Sequence, residues 1–145
     1  TRCFLQKKAQ AVIAFTEVAR DRVPYYGVAK PKDGGDVFEL EDVIEKPRIE
    51  DAPSNLVIAA RYIFAPSIFE ALEQIQPGTG GEYQLTDAIR MVIQGGGKVY
   101  GVRLDANEHR YDVGNFDSYF RAFVEFALAD EKCGPALRAY LERIL

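Results

Sequence analysis

The sequence is short of the residues that build metal centres and covalent frameworks. Its 145 residues include two cysteines, Cys3 and Cys133, near opposite ends, and one histidine, His109. No spacing among them matches a zinc site, and two cysteines do not make a disulfide scaffold. This usage points to a reducing cytoplasm. No apolar run approaches the ~20 residues of a membrane span. The opening Thr1-Arg2-Cys3-Phe4-Leu5-Gln6-Lys7-Lys8 has neither the apolar stretch of a signal peptide nor an initiator methionine, so the chain is read as processed, cut or partial. A positive net charge is missing too. Eighteen Lys and Arg against 22 Asp and Glu leave −4, which excludes nucleic acid as a general partner. A small phosphorylated ligand stays open, because it needs only one or two well-placed cations. An acidic protein that handles phosphate usually recruits a divalent metal.

What is present suits one soluble domain: 48% hydrophobic and 28% charged residues, enough to bury a core. Residues 1–10 read as the end of a helix. Ala11–Phe15 is a short apolar run of the kind buried in a sheet, and Tyr25–Ala29 is a second strand candidate. Lys30–Asp36, with two glycines, a proline and two aspartates, is a turn. Strands follow over Val37–Ile44 and Asn55–Phe64, separated by the polar stretch Arg48–Pro53. The period then changes. Ile68, Phe69, Leu72 and Ile75 recur at helical spacing after Pro66, and Leu85, Ile89, Val92 and Ile93 mark a second helix. Short strands are expected over Val99–Leu104 and Arg110–Val113. Phe116, Tyr119, Phe120, Phe123, Val124 and Ala127 draw one face of a third helix, either core or subunit interface. Leu137, Tyr140, Leu141 and Ile144 draw a fourth. Strands first and helices later indicate α/β or α+β, with a sheet that could be part of a larger one.

Two short segments could carry chemistry. Glu45 and Lys46 stand side by side at a strand end and point to opposite sides if the strand stays regular. If Pro47 breaks it, both can face a cleft, the ammonium holding phosphate and the carboxylate accepting from sugar hydroxyls. On residue type alone, an exposed charged turn is the plainer reading. Asp112, in Tyr111-Asp112-Val113-Gly114, could bind Mg²⁺ through one oxygen or serve as a turn residue, with Asn115 an equally good helix cap. The Gly78-Thr79-Gly80-Gly81 run lacks the ending of a P-loop and reads as a link between helices. Glu82, Thr86 and Asp87 read as a helix start, and His109 as an ordinary surface or strand residue.

Taken together, the segments resemble the bacterial UTP–glucose-1-phosphate uridylyltransferases. The resemblance runs through Val43-Ile44-Glu45-Lys46-Pro47, Ala52-Pro53-Ser54-Asn55-Leu56 and Arg61-Tyr62. It continues through Pro77-Gly78-Thr79-Gly80-Gly81-Glu82-Tyr83-Gln84-Leu85-Thr86-Asp87-Ala88-Ile89. It ends with Tyr111-Asp112-Val113-Gly114-Asn115 and Ala122-Phe123-Val124-Glu125. These occur in the family's order and spacing from about Tyr26 onward.

The resemblance implies the C-terminal part of a nucleotide-diphospho-sugar transferase: an α/β fold with a Rossmann-like mixed sheet and a helical tail from about 115 to 145. It implies conversion of UTP and glucose 1-phosphate to UDP-glucose and pyrophosphate with Mg²⁺, and a homo-oligomer. It places Lys46 on the sugar-linked phosphate and Glu45 on the glucose hydroxyls. Gly27 would lie where the backbone approaches the sugar, Ile58 on the pocket wall, and Asp112 at the metal. The nucleotide-gripping N-terminal part is not represented, so the chain alone is expected to be inactive and to leave the strand at 11–15 on an open sheet edge. Two positions depart from the family pattern: Ala60 replaces a glycine, its methyl either crowding the pocket or merely packing, and Val113 replaces a cysteine. The alternatives are a non-catalytic sugar-binding or oligomerisation module, or a different nucleotide specificity.

Overall fold

A computed structural model describes every residue except Thr79, Gly80, Ala106, Asn107, His109, Arg110 and Asp112. The chain divides into two units, Thr1–Glu108 and His109–Leu145. In the first unit the order is α1 (Arg2–Lys7), β1 (Ala11–Glu17), a 3₁₀ helix (Arg20–Tyr25), β2 (Gly27–Pro31), β3 (Val37–Glu45), β4 (Leu56–Phe64), α2 (Ser67–Leu72), α3 (Leu85–Gln94) and β5 (Val99–Arg103). The second unit contains α4 (Phe116–Ala129) and α5 (Gly134–Ile144). The expected strand at 110–113 falls largely outside the described residues, and Tyr111 and Val113, which are described, are not in a strand.

The five strands close on themselves in the order β1-β4-β2-β3-β5. β1 runs antiparallel to β4 on one side and parallel to β5 on the other. β3 supplies two neighbours: Val37–Glu39 pairs with β5, and the remainder with β2. The sheet is therefore mixed, as the resemblance implied. The open edge expected at 11–15 is not there. β5, returning after α3, covers the side of β1 that would have been bare, so every ladder group from Ala11 to Phe15 faces a partner strand. Both faces of β1 are covered as well, Ile13 and Phe15 lying in the main core and Val12 packing with Ala9, Tyr100 and Phe4, which is why β1 is apolar without alternation.

The core lies between this sheet and helices α2 and α3. Ile13, Phe15, Phe38, Leu40, Val43, Val99 and Ile89 are all essentially inaccessible to solvent. Each large apolar side chain so buried contributes about 1.5–3 kcal/mol. Phe15 and Phe38 pack tilted with ring centroids 5.6 Å apart, a favourable aromatic geometry. Gly101 lies opposite both Ile13 and Phe38 in the ladders. A methyl there would collide with the Phe38 ring, so this glycine is what admits the aromatic pair. Helix α3 buries Thr86, Ala88 and Ile89 and is pinned to β3 by Arg90 Nη2 to Asp42 Oδ2 at 2.9 Å.

Candidate functional site

The site begins with a bulge in β3. Lys30 lies opposite Asp42 while Pro31 lies opposite Leu40, leaving Glu41 as an extra residue. Strand side chains alternate with period two, so one inserted residue switches the faces. Phe38 and Leu40 point into the core before the bulge, and Val43 does so after it. Glu45, two residues on, is thereby aimed toward the same side as Val43, beneath α3. Without the bulge this carboxylate would face the opposite side of the sheet.

There it meets three other residues. Gly27 is the ladder partner of Glu45, and Val28 pairs with Val57, which puts Gly27 beside Ile58 on the next strand. A β-carbon placed on Gly27 would lie 2.7 Å from Ile58 Cδ1, 3.0 Å from Glu45 Oε2 and 3.3 Å from Thr86 Oγ1. Ile58, Glu45 and Thr86 thus close in on Gly27, and a side chain at 27 would force one of them to move, which is the reason for glycine there. Thr86 Oγ1 donates to Glu45 Oε2 at 2.5 Å.

Lys46 joins the group because the strand stops. Its φ of 45° is left-handed, a conformation that costs a non-glycine residue roughly 1–2 kcal/mol. The turn is held by its amide, which donates to Tyr26 O at 3.0 Å, and by the buried Pro47 that follows. The kink swings the ammonium to the side of its neighbour, with Nζ 3.9 Å from Glu45 Oε1. Of the two geometries the sequence left open, the one that brings both side chains to the same side is realised. The Lys46 side chain is 52% exposed and that of Glu45 22%. A pair so long and so wet holds its partners weakly, so the ammonium is available to an incoming anion.

The polar stretch after Pro47 is fastened from one point. Arg20 donates to the carbonyls of Ile49 (2.9 Å), Ala52 (3.0 Å) and Ser54 (3.3 Å). Ser54 Oγ donates to Ala29 O at 2.6 Å. The motif Ala52–Leu56 therefore ties the chain leaving Lys46 to strand β2, which carries Gly27.

Ala60 neither crowds the Gly27 cluster nor packs in the core. It is exposed, and its φ is 52°. Ile13 pairs with Tyr62 and Phe15 with Ile58, so β4 bulges by two residues opposite Ala14. Ala60 lies in that bulge, in a left-handed conformation that glycine adopts freely. The departure from glycine is a backbone matter.

Asp112, the expected metal ligand, lies outside the described residues, as do His109, Thr79 and Gly80. Its neighbours are placed within the second unit. Tyr111 Oη donates to Glu125 Oε2 at 2.9 Å, and its ring lies 4.7 Å from that of Phe126. Asn115 Oδ1 caps α4 by accepting from the Ser118 amide at 3.0 Å, the role its position suggested. Among the described residues no three Asp, Glu, His or Cys groups come together to hold a metal.

Gly27, Glu45, Lys46 and Ile58 are thus brought together. Thr86 is the member that residue-by-residue reading missed. As the second residue of α3 it looked like part of a helix start, but it makes no cap and turns inward instead. The only signal was a hydroxyl on the apolar face shared with Ile89, and the α3–β3 packing that gives it meaning is not local in sequence.

The nucleotidyl transferase family model matches residues 2–128. This chain belongs to the nucleotidyl transferase family. It is 36% identical over 136 residues to a UTP–glucose-1-phosphate uridylyltransferase of Haemophilus influenzae, covering 91% of this chain and 45% of that protein. It is also 36% identical over 143 residues to one of Bacillus subtilis, covering 97% and 47%. Among solved structures, a UDP-glucose pyrophosphorylase complexed with UDP-glucose superposes with a TM-score of 0.78 at 34% identity, over 86% of this chain and 46% of that one. A UTP-bound enzyme from Acinetobacter baumannii gives 0.83 at 26% identity, over 99% and 48%. The chain spans about half the length of the curated relatives it matches. No described helix is long and apolar enough to cross a membrane.

Proposed function

We propose that residues 1–145 form the sugar-phosphate half of a UTP–glucose-1-phosphate uridylyltransferase, with a helical tail from about 115. The parent reaction joins glucose 1-phosphate to the α-phosphorus of UTP and releases pyrophosphate. The observation that carries this reading is the convergence of Gly27, Glu45, Lys46 and Ile58 in one cluster. Lys46 holds the phosphate of glucose 1-phosphate by charge-assisted hydrogen bonds and orients an oxygen for in-line attack. Glu45 accepts from sugar hydroxyls, Gly27 lets the ring approach the backbone, and Ile58 gives it an apolar wall. UTP is held by residues outside the span shared with the relatives. Mg²⁺ would offset phosphate charge in the complete enzyme, with Asp112 supplying one carboxylate. Cys3 and Cys133 are both free thiols, which accords with a cytoplasmic setting.

On this reading the 145 residues alone bind glucose 1-phosphate but transfer no uridylyl group. Calorimetric titration tests this. The wild-type chain should bind glucose 1-phosphate, and Lys46→Ala should weaken binding by roughly 1.5–3 kcal/mol, the worth of a hydrogen bond to a charged group. Glu45→Gln should weaken it less. Absence of binding by the wild type, or indifference to both substitutions, would remove the reading.

A second role is favoured by α4. Phe116, Phe120, Phe123 and Phe126 are all more than half exposed, which is a large apolar presentation for one helix. It fits a contact between copies of the chain, as a homo-oligomer requires.

A further inference from the structure

Thr86 is the one buried polar side chain among the described residues, 6% exposed. A buried hydroxyl needs a partner, and this one has committed its proton to Glu45 Oε2 at 2.5 Å. That separation is at the short end of O–H···O⁻ bonds, which are stronger than neutral ones. We propose that Thr86 is a positioning residue: by fixing the carboxylate of Glu45 over Gly27, it sets which sugar hydroxyls the site accepts. This rests on the reading of the Gly27–Glu45–Lys46 cluster as a glucose 1-phosphate site.

A glutamate side chain has several rotatable bonds and loses considerable freedom when held in one rotamer. Glu45 ends a strand, with 22% of its side chain exposed and only a 3.9 Å contact to Lys46 on its other oxygen. Packing alone does not immobilise it. Thr86 does, because its own position is set twice: its helix buries Ala88 and Ile89 against the sheet, and Arg90, one turn on, is bonded to Asp42 of β3. Both Glu45 Oε2 and Thr86 Oγ1 lie within 3.3 Å of where a Gly27 β-carbon would be. The hydrogen-bonded pair therefore lies directly against Gly27, where the proposed site brings the sugar to the backbone. With Oε2 held, Oε1 and the remaining lone pairs have a fixed direction. A site whose acceptors are fixed rejects ligands lacking the matching hydroxyls far better than one whose acceptors swing. Threonine suits the task because its methyl group belongs in the apolar helix–sheet interface while the hydroxyl reaches out of it.

The test compares two probes on the whole 145-residue chain: glucose 1-phosphate, and methyl phosphate, which keeps the anion but lacks the sugar hydroxyls. Thr86→Val preserves shape and removes the hydroxyl. It should weaken glucose 1-phosphate binding roughly tenfold, the worth of one hydrogen bond to a charged group, and change methyl phosphate binding by less than about threefold. Thr86→Ser keeps the hydroxyl and should retain the wild-type ratio of the two affinities within about threefold. A merely structural threonine would lower the melting temperature in both variants and leave that ratio unmoved. If Thr86→Val keeps the wild-type ratio, or if folded Thr86→Ser loses it, the proposal is overturned. Should Thr86→Val not fold, Thr86→Ala, which also removes the hydroxyl, is read in its place by the same criterion. Wild type that binds glucose 1-phosphate and loses it on Glu45→Gln, with Thr86→Val unaffected, sinks this proposal alone. Wild type that does not bind sinks the underlying reading as well.

Discussion

The two units of the chain use their hydrophobic residues in opposite ways. In Thr1–Glu108 the large apolar side chains turn inward, and Phe15, Phe38, Ile13 and Leu40 are at most 1% exposed. In His109–Leu145 the helices α4 and α5 each bury one small residue, Ala122 and Gly134, while the phenylalanines of α4 face outward. A five-stranded closed sheet gives every strand two partners and encloses its own core. Two helices have too little shared face to do so. The first unit therefore carries the stability and the candidate site, and the second carries exposed apolar side chains.

The largest effect that follows is on the core. Phe15→Ala should cost about 3–5 kcal/mol, read as a lowered urea midpoint. Phe120→Ser on α4 should change stability by less than about 0.5 kcal/mol while altering self-association in sedimentation. Equal destabilisation by the two would break the contrast between the units. Next comes Ala60→Gly. It relieves a left-handed backbone worth roughly 1–2 kcal/mol but adds unfolded-state freedom worth about 0.4–1 kcal/mol. The net gain should be about 0.5–1 kcal/mol, confined to the first unit.

The smallest effect sharpens the second unit. Asp130 Oδ1 accepts from the amides of Cys133 (2.7 Å) and Lys132 (3.0 Å) just before α5. These bonds, Cys133 first, hold its carboxyl below its ordinary pKa. A group with a lowered folded-state pKa stabilises above its unfolded value, and that contribution is lost as pH falls through the folded one. Protection of the Lys132 and Cys133 amides from hydrogen exchange should therefore decline at acidic pH. It should be insensitive to pH near neutrality, and Asp130→Asn should blunt the acid dependence.

Most of the element order was legible because it is local. The apolar run at 11–15, the helical period from Ile68 to Ile93 and the stripe from Phe116 to Ala127 need no knowledge of tertiary structure. The pair Glu45-Lys46 was legible as a choice between two geometries, and the left-handed turn at Lys46 settled it. What stayed hidden depends on register. The extra residue at Glu41 re-aims Glu45, and the two-residue bulge opposite Ala14 gives Ala60 its positive φ. Pro31 sits opposite the first of these bulges, but the bulged residues themselves, Glu41 and Ala60, are neither glycine nor proline. Closure of the sheet by β5 on β1 joins segments more than 80 residues apart, and so the expected free edge proved wrong. Thr86 belongs to the same class, because its meaning lies in a contact with a residue 41 positions away.

The central claim is that the cluster around Gly27, Glu45 and Lys46 on the first unit takes glucose 1-phosphate. Amide chemical-shift mapping of the 145-residue chain during a glucose 1-phosphate titration tests it most directly. Saturable shifts are expected at Gly27, Glu45, Lys46, Ile58 and Thr86, abolished by Gly27→Val, whose side chain would displace Ile58 and Glu45. Shifts centred elsewhere, or shifts at these residues that survive Gly27→Val unchanged, would contradict it.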